Sequence, residues 1–284
     1  MVKAVTWLEP LCGDMGAMSF GPAFHLVGAL KSAVATLPTL WRQSWLALAA
    51  LFALVLISQV PQIEIGLRRG LIMTSLLFQF VVAGGLYRVA LFGERYAKAE
   101  GLGLGGIQFG KPELRLIGAG LLVALFWLMV FATLCVMLAL FLGAAGLADQ
   151  SHSTPHGFFL ELVNGPQPQG IVLLVAIAGV MLTLTILSVK LWLHQAATVA
   201  EHRVVSLNAL TLSSGQTVKL FLGYAYLALP FIVVSAVIPN AGNIAGLTPA
   251  LIVNLALGIA VFLPVSIAFL ASAYRQIMEL RAKG

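Results

Sequence analysis

Apolar residues run along this chain in six long stretches, 41–60, 70–90, 116–142, 170–193, 220–238 and 247–273, and most of the charge lies between them. Each is long enough to carry a helix across a hydrocarbon layer, which takes roughly 20 mostly apolar residues. No Asp, Glu, Lys, Arg or His stands in the middle of any stretch. The pattern predicts an all-α, polytopic membrane protein with six transmembrane helices. The polar residues at depth are neutral: Gln79, Thr133, Thr183, Thr185, Ser235, Asn254 and Ser266. Gln79 with Ser75, and Asn254 with Gly258, read as positions for hydrogen bonding and packing between helices. Pro230 and Pro264 should break the fifth and sixth helices.

The segments ahead of the first, third and fifth stretches share a character. They read FHLVGALKSAVATLPTLWRQSW, ERYAKAEGLGLGGIQFGKPELRL and AEHRVVSLNALTLSSGQTVKLF. In the first, Phe24, Val27, Leu30, Val34 and Leu37 share one helical face away from Lys31 and Ser32, as in a helix lying in a membrane interface. Val205, Leu207, Leu210 and Leu212 form a similar set in the third. The returning helices end alike, at Tyr87-Arg88, at Trp192 and His194, and at Tyr274-Arg275, an aromatic and a cation suited to the headgroup level. These recurrences predict three degenerate helical hairpins with interfacial amphipathic segments, in one domain over 22–284. Residues 1–21 form a tail that translation from Met15 or Met18, rather than Met1, would shorten.

Composition agrees with the pattern. The chain has 284 residues, of which 60% are hydrophobic and 9% charged, whereas a soluble domain carries about 25% charged residues. Its net charge of +6 is spread between apolar runs rather than gathered on an aqueous face, so nucleic acid is not the implied partner. Anionic lipid headgroups are. Fourteen of the sixteen Lys and Arg residues fall on the side of both termini, leaving only Arg68 and Arg69 opposite. The positive-inside rule then places both termini in the cytoplasm of a bacterial-type cell, in its inner membrane, with outer loops near 61–69, 143–169 and 239–246. Cys12 and Cys135 are too far apart in character and position to suggest a disulfide framework.

The stretch SVKLWLHQAATVAEHR, from Ser188 to Arg203, carries the densest chemistry. Lys190 and His194 share a helical face, which Ala176, Gly179 and Thr183 extend into the bilayer toward neighbouring helices. Lys190 lies about 30 Å along a helix from Gly170, the full hydrocarbon thickness, so snorkelling to the headgroups accounts for it. The competing reading is a pocket for a phosphate headgroup, formed by Arg88, Lys190, His194 and Arg275. The run GLGLGG at 101–106 is not flanked by strands and reads as a flexible surface turn, not a phosphate loop. Asp149, His152 and His156 have ligand chemistry but sit in a Ser-, Thr- and Pro-rich loop, and no metal or cofactor is expected. No nucleophile, base and acid constellation supports catalysis.

The layout, and SLNALTLSSGQTVKLF in particular, resembles a group of bacterial six-helix membrane proteins that includes the membrane domain fused to some glycerophosphodiester phosphodiesterases. Ala209, Leu210, Ser213, Gly215 and Lys219 match the pattern that leads into a spanning helix in that group. The resemblance implies a membrane part without catalytic residues, since the soluble barrel of those enzymes has no counterpart here. The expectation is a non-enzymatic integral membrane protein, lipid-associated or serving as an accessory component with a membrane-protein partner. A permease or lipid translocator without charged coupling residues is the alternative.

Overall fold

The computed structural model describes residues 25–99, 104–106, 110–144, 167–205, 207, 209–213, 215–238 and 247–283. The tail 1–21 with Cys12, and the loop bearing Asp149, His152 and His156, lie outside the described residues. The described chain is helical: α1 Leu26–Ser58, α2 Ile65–Ala99, α3 Lys111–Ala144, α4 Gln167–Leu191, α5 His194–Ala200, α6 Ala209–Leu212, α7 Thr217–Val237, α8 Pro249–Leu257 and α9 Leu263–Lys283. A 3-10 turn, Leu104–Gly106, precedes α3, and a π segment, Gly258–Phe262, joins α8 to α9. Six helical runs are long and apolar enough to cross a membrane, the last of them extending from Pro249 to Ala282.

Helix α1 is the largest departure from expectation. The segment expected to lie in the interface continues straight into the first span, so that α1 has 33 residues with Pro38 inside it, about 50 Å at 1.5 Å per residue. Proline removes one hydrogen bond, and packing against α2 and α9 holds the helix through the gap. The valines of that segment's apolar face turn outward, as a lipid-facing set would. Val27 and Val34 are exposed, while Ala29 and Ala33 are fully buried, because small side chains let helix backbones approach. Two hydrogen bonds set the register with the last helix: His25 N–H donates to Gln276 Oε1, and the Trp41 indole N–H to the Ala260 carbonyl. Each helix advances sixteen residues between them, so the two run antiparallel over about 24 Å.

Helices α1, α2 and α9 pack on one another; α3 packs on α2, α4 on α3, and α7 on α4, α1 and α9. These form a ring. At the end where His25 meets Gln276, here the terminal end, the ring is plugged by α5, which packs against α2, α3 and α9. The interior side chains gather there: Leu40, Leu86, Tyr87, Leu116, Leu193, Leu220 and Phe269 are almost wholly buried. A Cβ on Gly223 would strike the Phe269 ring and a Leu26 methyl, so glycine sets the α1–α7–α9 junction. Toward the far end, α3 has no buried residue in its most apolar window. Leu121, Leu122, Leu125, Leu128 and Met129 are exposed along one of its faces.

The described part of the glycine run before α3, Leu104–Gly106, is not a loose turn. Gly105 and Gly106 hold positive φ angles of 75° and 84° and lie against α1. A Cβ on Gly106 would come within 2.9 Å of the Ser44 Cα. Only glycine combines that conformation with that approach.

Candidate functional site

The polar chemistry collects at the terminal end. Arg88, near the end of the apolar part of α2, forms an ion pair with Glu113, in the first turn of α3. Both residues are 1% exposed. Glu113 also accepts the Gly110 N–H at 2.9 Å, so its carboxylate faces the positive end of the α3 dipole as well as the guanidinium. Gly84 lies beside it, where a Cβ would sit 3.4 Å from Glu113 Oε1, in ordinary contact. A desolvated pair of this kind is held by mutual attraction; removing one partner strands the other charge, at a cost of about 3–5 kcal/mol. It is a tie between α2 and α3.

The Ser188–Arg203 stretch does not simply leave the bundle. Helix α4 ends at Leu191, the chain turns at Trp192 and Leu193, and α5 runs into the interior, burying His194, Ala196, Ala197, Thr198 and Val199. The apolar positions of LHQAATVA account for this, because both sides of so small a helix can pack. The Nδ1 of His194 lies 2.7 Å from the Leu191 carbonyl, so it carries the proton in that contact. Its Nε2 is buried without a partner. Thr198 Oγ1 lies 2.7 and 3.0 Å from the carbonyls of His194 and Val205, which share its one proton, and receives the Val205 N–H at 3.2 Å.

This threonine folds 201–205 back over α5. His202 sits at the turn with φ 52°, stacked on Phe92 at 5.8 Å between ring centroids. Arg115 donates to its carbonyl at 2.5 Å. Glu201 accepts from the Tyr274 hydroxyl at 3.3 Å and pairs with Arg203 at 2.5 Å. Further bonds link Arg281 to the Thr211 carbonyl and Ser213 Oγ to the Lys190 carbonyl, the latter at 3.2 Å. The expected interfacial set divides: Val205 and Leu212 are buried, Leu207 exposed.

The four residues named for headgroup binding thus occupy different settings. Arg88 is engaged by Glu113, His194 is in the interior, and Lys190 and Arg275 are half-buried. Helix α5, which begins at His194, packs on both α2 and α9, the helices of Arg88 and Arg275; α4, with Lys190, packs instead on α3, α6 and α7. The stripe below Lys190 also differs from expectation, since Gly179 and Thr183 are exposed and the Thr183 hydroxyl bonds the Gly179 carbonyl of its own helix.

At greater depth, Gln79 is exposed and Ser75 bonds the Ile72 carbonyl within α2. Asn254 does reach across helices, to Ser235 at 3.1 Å. Trp127 of α3 similarly donates to Ser188 of α4 at 3.3 Å.

Glu113, Thr198 and Trp41 were not singled out from the sequence. A lone acid within the basic KPELR run hinted at Glu113; a Trp at a span edge reads equally well as a membrane anchor. No protein-family model matches the chain, and no match is found among curated proteins or solved structures.

Proposed function

We propose that the chain is a non-enzymatic, six-helix integral protein of a bacterial-type cytoplasmic membrane, built as three degenerate hairpins with both termini cytoplasmic. Its role is that of a lipid-associated or complex-forming accessory component. The observation that carries this reading is the contrast along the bundle axis: apolar side chains face outward around the far halves of the helices, whereas ion pairs, cations and the buried core gather at the terminal end. Such an outside suits hydrocarbon, in which apolar side chains gain little by turning inward. The half-buried Lys190 and Arg275, with exposed Lys31, face a layer where anionic headgroups supply the counter-charge. The resemblance to the membrane domains of glycerophosphodiester phosphodiesterases supports the same reading.

Reporters fused after Lys283 and within 94–111 should be cytoplasmic, and one near Ser153 external; a cytoplasmic Ser153 would overturn the orientation. Native mass spectrometry from mild detergent should find anionic lipid retained, and its retention reduced by Lys190→Leu with Arg275→Leu. The lipid-translocator alternative is favoured by one feature, the ring of helices that, among the described residues, α5 plugs at its terminal end.

A further inference from the structure

The last apolar run is not a uniform α-helix. Residues Gly258–Phe262 take π geometry immediately ahead of Pro264. Proline has no N–H for the carbonyl four residues back, which here is that of Ala260. Freed carbonyls in apolar surroundings need another donor, and α1 provides one in the Trp41 indole. Helix α7 has a matching weak point at Pro230, which leaves the Tyr226 carbonyl without its helical donor.

On the far side of these breaks, α7 and α8 are joined to each other. Ser235 Oγ lies 3.1 Å from the Asn254 side chain and 2.7 Å from the Phe231 carbonyl. A hydroxyl has one proton, so an Asn254 amide turned to donate would satisfy both contacts. Phe231 meets Phe262 edge to face at 4.9 Å. On the near side the setting is different: residues 264–274 of α9 are buried without interruption, whereas Ala250 is the buried residue of α8 and the π segment has none. A tightly held shaft carries a lightly held tip, with a π bulge and a proline between them, a combination found where helices bend.

We propose that residues 231–238 of α7 and 249–257 of α8 move as one flap, pivoting at Pro230 and at the π segment, and that the Trp41 indole, bonded to Ala260 within that segment, is the latch that fixes the pivot against α1. Opening widens the ring at the end that α5 does not plug. The latch acts on the carbonyl that Pro264 releases, so the proline that makes the hinge also creates the acceptor that closes it. This inference rests on the chain being membrane-embedded.

Spin labels test it in nanodiscs, in a background with Cys12→Ser and Cys135→Ser. One pair, at Ile57→Cys and Val253→Cys, spans α1 and the flap; a second, at Val233→Cys and Val253→Cys, lies within the flap. A third, at Lys31→Cys and Ala282→Cys, reports the terminal end. Trp41→Phe should move the first distance outward by roughly 3 Å, the displacement at Val253 of a ~10 Å arm turning through about 15°, and leave the other two unchanged. Pro264→Ala, which returns an N–H to Ala260, should narrow the first distribution to one population. An unchanged first pair in Trp41→Phe overturns the latch, and a second pair that moves as far as the first overturns the rigid flap. If Trp41→Phe disturbs the third pair, Pro264→Ala decides alone, and a distribution as broad as the parent's overturns the hinge. Failure to enter nanodiscs removes the membrane reading, and the flap with it.

Discussion

The terminal end of this bundle is packed like the interior of a soluble protein, and the far end is not. Near the termini, large side chains such as Phe269 and Leu116 are buried among small ones such as Ala33 and Ala197, with ion pairs and hydrogen bonds joining the elements. Along the far half of α3, Leu128, Met129, Val136, Met137 and Leu140 are exposed, and the face that carries Val130, Leu134 and Leu138 is only half-buried. The α3 window is the more apolar in sequence, at a mean hydropathy of 2.7 against 1.7 in α1 and α2, yet it is the one left unburied, so hydrophobicity alone does not decide which region is buried. The solvent does. Helices exposed to water bury apolar surface for about 25 cal/mol per Å2, a drive that vanishes where hydrocarbon surrounds them. The proposed membrane placement therefore accounts for both halves with one rule.

Mutations should divide along the same line. The largest effect is expected at the Arg88–Glu113 pair: Arg88→Met or Glu113→Leu should each destabilise the protein by about 3–5 kcal/mol in detergent unfolding, because each removes the opposite charge that its buried partner faces. The double variant Arg88→Met with Glu113→Leu should recover much of the loss. If the double loses the sum of the singles, the pair is not coupled.

Gly223→Leu comes next, since no room exists beside Phe269 and Leu26; overpacking of this kind costs about 1–3 kcal/mol or more. Thr198→Val should cost about 1–3 kcal/mol by leaving the buried Val205 N–H without its acceptor, and should expose 201–205 to proteolysis. Unchanged cleavage there would show that the threonine does not hold the turn. At the far end, Ser235→Ala should cost about 0.6 kcal/mol, the worth of a hydrogen bond between membrane helices. Leu128→Ala should fall within about 0.5 kcal/mol of the parent. A loss of several kcal/mol at Leu128 would mean that α3 is covered by protein, and would erase the contrast.

The sequence alone determined that the described chain is helical and carries six runs fit to span a membrane, because the length of an apolar run and the gathering of charge are local properties. It also placed Asn254 within reach of a neighbour and an interruption ahead of Pro264, whereas α7 runs unbroken through Pro230 and Tyr87, Arg88 and His194, expected at the headgroup level, are buried. It did not determine which face of a helix turns inward. Val27 and Val34 made the more hydrophobic face of α1, yet Ala29 and Ala33 are the ones buried, since close approach between backbones rewards small size. Nor did it pair Arg88 with Glu113, fold α5 into the ring, or set Gly106 on Ser44. Those outcomes depend on which distant segments meet, and a polar residue at a helix end has the same local signature whether it faces headgroups or a partner of opposite charge. Tertiary structure decided between the two by desolvating both members of the pair, which no window of the chain contains together.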